Sequence, residues 1–461
     1  MKKHLFPALL LAASAAHAGP VIEHWVQPGG AQVYLVQSHR IPMLDVQIDF
    51  DAGSRRDAAG QSGLASATAS MLSLGSGAYG ALPAQDENQM GEAWADLGAS
   101  FGCSAGGERT SCRLRTLTAP DLLQRSVQQA AQQLAAPAFD AALWQRERER
   151  WSQSIRESLT RPGPVAARAF DAAVYTTHPY AASASPETLA RISTDDLRAF
   201  WRRYWQPCHA RISFVGKATK QEADAIAREL LAGLPAPETC PTLPAVPDMP
   251  PLAKAQAQHI PMPSAQTHVL IGQPGHTRRD PDFFPLLVGN HILGGGGFTS
   301  RLMHQVREER GLSYSVGSSF APGLHEGAFT IGLQTRPDQA ADAAALAQRI
   351  LEDFVRAGPT AQELQAAKDN LTGSFPLRLD SNAKLLANTA NIAWNGLPLD
   401  YLDHWTERVN AVTAADVQRA FARVLQPQRM VRVTVGPADT AEKKTSSPAH
   451  KAGKNTIPAK K

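Results

Sequence analysis

Two stretches of this chain repeat one another. Ile192 to Ala218 (ISTDDLRAFWRRYWQPCHARISFVGKA) and Val412 to Ala438 (VTAADVQRAFARVLQPQRMVRVTVGPA) align without a gap at an offset of 220 residues. Each reads as a capping residue (Ser193 or Thr413), an amphipathic helix, a Gln-Pro stop and a strand ending in glycine. Earlier segments keep nearly the same offset. His39-Arg40-Ile41-Pro42, a strand over Leu44–Phe50, Gly53 and Arg55-Arg56-Asp57 correspond to His259-Ile260-Pro261, a strand over Thr267–Gly272, Gly275 and Arg278-Arg279-Asp280. A chain repeated over this distance folds as two matching units. The proline-rich run Leu234 to Pro251 (LPAPETCPTLPAVPDMPP) is stiff and extended, which predicts a first unit over 19–233, a linker over 234–258 and a second unit over 259–438. Each half opens with strands, passes into helices and closes with a helix and a strand. That order predicts an α+β fold, with antiparallel sheets carrying helices on one face.

The ends of the chain differ from its body. Lys2-Lys3, the apolar run Leu5–Ala13 and Ala16-His17-Ala18 predict a cleaved signal peptide over 1–18, and so export, to the periplasm in a Gram-negative source. No later stretch of about 20 apolar residues predicts stable membrane insertion. The tail over 439–461 carries six lysines after Glu442 and few apolar residues, which predicts disorder. Without those six and the two leading lysines, the 46 basic residues fall to 38 against 42 acidic ones. The body is mildly acidic, and the tail reads as a plain solvated terminus, with attraction to nucleic acid or membrane as the lesser alternative, so no nucleic-acid partner is expected.

The four cysteines suit an oxidising compartment. Cys103 and Cys112 flank SAGGERTS, a hairpin turn, and can face each other on paired strands as a disulfide; two free buried thiols are the alternative. Cys208 and Cys240 lie farther apart and their pairing stays open. No C-x2-C spacing points to structural zinc.

The stretch Ile292–Phe320 (ILGGGGFTSRLMHQVREERGLSYSVGSSF) reads as a glycine loop over Gly294, Gly295, Gly296 and Gly297, then a helix, then a strand. Thr299 is the expected cap, Leu302, Met303 and Val306 the buried stripe, and Arg310-Gly311 the helix end. Leu312–Phe320 is the expected strand, with Tyr314 and Val316 on one face. Arg307 and Tyr314 then project toward one space, where a guanidinium and a phenol suit a peptide carbonyl. A surface arginine beside a half-buried tyrosine is the plainer alternative.

GGGGFTSRLMHQVREERGLSYSV resembles the second-half signature of the M16 (pitrilysin-type, inverzincin) metallopeptidases. That group includes the mitochondrial processing peptidases and the core proteins of the respiratory bc1 complex. The resemblance spans nearly all of the chain after the signal segment. It implies two homologous α+β halves facing each other like a clamshell over a cavity, and it makes Arg307 and Tyr314 the pair that holds substrate against a zinc site.

The zinc motif itself is missing. In this family H-x-x-E-H lies on a helix after Gly-Leu-Ala, where two histidines bind zinc and the glutamate activates water. Here Gly63-Leu64-Ala65 and Met71-Leu72 remain, but Ser66 and Ser70 stand at the histidine positions and Ala69 at that of the glutamate. The family's distant glutamate ligand points by spacing to Glu147, in a charge-rich helix that reads more simply as a solvated face. No two of the fourteen histidines lie three or four residues apart, so no metal is expected in this chain. No phosphate loop is present. The resemblance therefore implies a non-catalytic, substrate-binding subunit, paired as a heterodimer with a chain that keeps H-x-x-E-H and holds the zinc. The other reading is a structural or peptide-binding pseudo-peptidase with no part in catalysis.

Overall fold

The computed structural model describes residues 19–438, so the signal segment (1–18) and the lysine-rich tail (439–461) lie outside the described residues. Its strands form two sheets. The first half contributes β1 (Glu23–Val26), β2 (Gln32–Gln37), β3 (Met43–Phe50), β4 (Ser100–Ala105), β5 (Thr110–Leu117) and β6 (Arg211–Gly216), in the order β1-β2-β6-β3-β5-β4. The second contributes β7 (Gln256–Pro261), β8 (Thr267–Pro274), β9 (Ser315–Phe320), β10 (Ala328–Thr335) and β11 (Val431–Gly436), in the order β7-β11-β8-β10-β9. Apart from β1, the two orders match strand for strand. The architecture is a duplicated α+β fold, as the repeat predicts.

The sheets are mixed rather than purely antiparallel: β2 pairs β6, and β7 pairs β11, in parallel. A closing strand that arrives after several helices has chain enough for a parallel crossover. The repeated segments explain the match. Ser193 and Thr413 cap their helices reciprocally with Asp196 and Asp416, and Pro207 and Pro427 then open the single turns that lead into β6 and β11.

Helices cover both faces of each sheet, not one. On β3, Leu44, Val46, Ile48 and Phe50 join the first-half core with Trp205 and Phe214. The alternate residues Asp45, Gln47 and Asp49 are also buried, because the second-half helix Asn382–Asn395 lies across β6 and β3. In return, the first-half helix Pro162–Tyr175 lies across β11 and β8. Its Ala166, Phe170, Val174 and Tyr175 pack with Val431, Val433, Val435 and the linker residues Met249 and Leu252. Burying a side chain such as Phe170 contributes roughly 1.5–3 kcal/mol. Each half thus completes the other's sheet.

The proline-rich run is irregular up to β7, which begins at Gln256, and it is tied down along its length. A Cys208–Cys240 disulfide holds one end. Pro244 O accepts from Arg56 Nη1 at 2.5 Å, Pro247 O lies 3.0 Å from His178 Nε2, and Met249 N donates to Glu326 at 3.2 Å.

Candidate functional site

The helix Leu64–Met71 carries the degenerate motif. It follows Gly63, whose φ of 106° is a left-handed conformation that suits glycine, and Asp57 accepts from Gly63 N (2.7 Å) and Ala65 N (2.8 Å) at its start. Burial pushes the Asp57 carboxyl up to about 6 against those hydrogen bonds. Ser66 and Ser70 are half-buried, and Ser70 Oγ turns back to Ala67 O at 3.2 Å. Ala69 is buried and offers no donor atom.

Glu147 is not on a solvated face. It is only 5% exposed, and Arg146 (3.0 Å) and Arg150 both pair with its carboxylate, while Arg146 also reaches Glu87 at 2.9 Å. The flanking arginines supply the partners a buried carboxylate needs. These four positions do not fit a zinc peptidase centre: two hydroxyls replace the nitrogen donors, a methyl replaces the carboxylate that would activate water, and two guanidiniums occupy the remaining carboxylate.

The glycine, arginine and tyrosine positions lie elsewhere, at the outer strand β9 of the second sheet. Gly294 lies in the helical turn His291–Gly295 pressed against that strand; a Cβ there would lie 2.4 Å from Ser318 N and 2.5 Å from Ser318 Oγ. Asn290 and Ser318 close the same contact, with Ser318 Oγ donating to Asn290 Oδ1 at 2.8 Å. Gly295 and Gly296 pack back on Asn290 and His291, while Gly297 has φ +62° with open space around it. So the glycines are only partly a loop: close packing requires Gly294, and the turn requires Gly297.

Thr299 is not the cap. Its hydroxyl bonds Gly296 O (3.0 Å), and it is the extended residue Ser300 whose carbonyl accepts from His304 N at the helix start. The following wide turn Met303–Glu308 buries Val306 and leaves Arg307 half-buried. Arg307 has no ion pair or side-chain hydrogen bond among the described residues; its guanidinium lies 4.7 Å from the ring of Phe298. Phe298 itself is 62% exposed.

Tyr314 is 84% exposed, and β9 begins only at Ser315. The strand does not start at Leu312 because Gly311 (φ +61°) and Leu312 still bond to Arg307 O and Val306 O (2.9 Å each), closing the helix. Tyr314 therefore lies in the bend before the ladder and does not share a face with the buried Val316. No hydrogen bond joins Arg307 to Tyr314 among the described residues. Phe298, absent from the sequence reading as a site residue, is the group that meets Arg307; its one sequence signal is an apolar ring set beside a glycine turn.

The hairpin cysteines take the bonded alternative, and one further arrangement escaped the sequence. Cys103 and Cys112 are direct partners across β4 and β5 and are bonded. Cys208, His209 and Cys240 come together with their ligand atoms within 4.8 Å. His209 and Cys240 border an open groove of about 600 Å³ between the halves, lined also by Asp51, Arg55, Leu324 and His325.

Comparison with known proteins places this frame. A family model described as Peptidase M16 inactive domain matches residues 191–371, and one described as Insulinase (Peptidase family M16) matches residues 32–186. The solved peptidase M16 inactive domain from Pseudomonas fluorescens superposes with a TM-score of 0.85 at 32% identity, over 90% of this chain and 98% of that one. This chain belongs to the M16 peptidase family.

The fold is shared with other solved proteins. A Helicobacter pylori protease superposes with a TM-score of 0.82 at 18% identity, over 91% of this chain and all of that one. An uncharacterized zinc protease of Streptomyces coelicolor is 30% identical over 258 residues, 54% of this chain and 55% of its own length. A non-peptidase homolog of Helicobacter pylori is 42% identical over 110 residues, 23% of this chain and 25% of its own. The chain thus spans about half or less of these two curated relatives. No helix among the described residues is long and apolar enough to cross a membrane.

Proposed function

We propose that this M16 chain is an exported, non-catalytic subunit that binds peptides or unfolded polypeptides and completes the active site of a partner chain carrying H-x-x-E-H and its zinc. The observation that carries this reading is Arg307: a half-buried guanidinium with no ion pair or side-chain hydrogen bond among the described residues, set against the exposed ring of Phe298. A cation stacked on an aromatic ring keeps its N–H groups available for an incoming carbonyl. Tyr314 adds a phenolic donor on the same outer edge. In the assembled pair these donors would bind the substrate backbone and the oxygen that gains charge during cleavage.

The unsuited positions Ser66, Ala69, Ser70 and Glu147 support the non-catalytic half of the reading. So do the names of two relatives, an inactive M16 domain and a non-peptidase homolog. Two disulfides are in keeping with export.

The test is co-expression with a chain that keeps H-x-x-E-H, followed by a cleavage assay on an unstructured peptide. Cleavage by the pair alone is the expected result. Equal cleavage by the partner without this chain would leave it a structural companion, and chelator-resistant cleavage by the isolated chain would refute both.

A further inference from the structure

Cys208 and His209 lie in the single turn Pro207–His209 that joins the Thr194–Tyr204 helix to β6, and Cys240 lies in the proline-rich run. The two sulfurs are joined, and the imidazole sits against them. His209 Nε2 is 3.0 Å from Pro241 O. A carbonyl only accepts, so Nε2 carries the proton and Nδ1 of the neutral ring keeps its lone pair; the two nitrogens lie 3.6 Å (Nε2) and 3.8 Å (Nδ1) from Cys240 Sγ. A metal-bound histidine has the same division of labour, one ring nitrogen donating to a carbonyl and the other left free to bind; here the imidazole lies side-on to the sulfur, and Nδ1 is the nitrogen left free. The cluster opens on the 600 Å³ groove, so a fourth ligand could reach it.

We propose that reduction of the Cys208–Cys240 disulfide creates a redox-gated site for a zinc-class ion, with Cys208, Cys240 and His209 as ligands. A dithiol supplies the electron pair that breaks the S–S bond and the two protons that cap the sulfurs, and itself becomes a disulfide. A divalent ion then displaces those two protons and takes His209 Nδ1 as its third ligand. The ion ties together the same two points as the disulfide, so the run around Cys240 stays anchored to the first half in both states. The Cys103–Cys112 pair forms no such group with a third ligand among the described residues.

The test uses the full chain with Cys103→Ser and Cys112→Ser, reduced with dithiothreitol, desalted and titrated with cadmium(II) or zinc(II). One ion per reduced chain, a thiolate-to-cadmium absorption band and no binding by the oxidised chain are expected. Losing only an outer partner of a metal-bound histidine costs about 10–100-fold in affinity, so His209→Ala should weaken binding at least that much. Zinc should also restore protease resistance around Cys240. The proposal is overturned if His209→Ala binds as tightly as its parent, if the reduced chain binds nothing, or if the oxidised chain binds equally. If the double serine variant does not fold, reduced wild type is compared with Cys240→Ser, which should bind one ion fewer; equal stoichiometry overturns the proposal.

Discussion

Glu108 accepts the indole N–H of Trp394 at 3.1 Å, across 286 residues of sequence. Its other carboxylate oxygen takes Leu324 N at 2.6 Å and the Tyr180 hydroxyl. Glu108 is at the tip of the β4–β5 hairpin and Leu324 in the matching turn between β9 and β10, so the repeated hairpins meet at their ends. Trp394 sits near the end of the Asn382–Asn395 helix, with Arg109 and Arg211 about its ring at 5.2 and 5.0 Å. Burial, and then the charge of Glu108, push the Tyr180 phenol up.

That convergence gives a stability prediction. Glu108→Ala leaves part-buried donors without an acceptor and should cost about 2–3 kcal/mol, with Glu108→Gln costing less. Urea unfolding measures both; an unchanged midpoint for the alanine variant would show that the tips contribute nothing.

Asp171, on the Pro162–Tyr175 helix, is pushed up by burial from 3.8 to about 6. The folded chain thus holds this proton more tightly than the unfolded one. The contribution is fully present below about pH 4 and is lost as pH rises through about 6. Discounted for partial exposure, the loss is on the order of 1–2 kcal/mol. Asp171→Asn should therefore be more stable than wild type at pH 7 and gain nothing at pH 4. Denaturation midpoints at the two pH values decide it, and an equal difference at both would rule out the titration.

Arg307→Ala or Tyr314→Phe should lower turnover of the assembled pair by about 10²–10³, by analogy with the loss of an oxyanion donor. Stability should shift by less than about 0.5 kcal/mol, because neither side chain supports the core. Steady-state kinetics with a sizing measurement separates the two effects; full turnover in both variants would remove their role.

Two glycines should fail for different reasons. Gly294→Ala forces a methyl onto Ser318 backbone and should cost about 1–3 kcal/mol. Gly297→Ala meets nothing but holds a positive φ, costing about 1–2 kcal/mol. Adding Ser318→Ala should recover part of the first loss and none of the second, as thermal unfolding would report.

The duplication, the α+β class and both reciprocal caps were legible in the chain, because they rest on periodicity and on contacts three or four residues apart. The start of β9 was not. Strand propensity runs back to Leu312, but the helix end claims Gly311 and Leu312, and a hydrogen bond already made overrides propensity. Glu147 misled for a related reason: a run of charges reads as solvated unless one knows that Arg146 and Arg150 turn onto the carboxylate between them.

By itself, then, the sequence determined that two like units exist, that the motif helix offers no zinc donors, and which arginine and tyrosine accompany the glycines. Only the tertiary structure decided that each half lends a helix to the other's sheet, that Phe298 meets Arg307, and that His209 meets a disulfide formed across 32 residues. The physical reason is distance along the chain. Local spacing records turns and faces, whereas contacts between residues such as Glu108 and Trp394 exist only after the backbone has closed loops that no local pattern encodes.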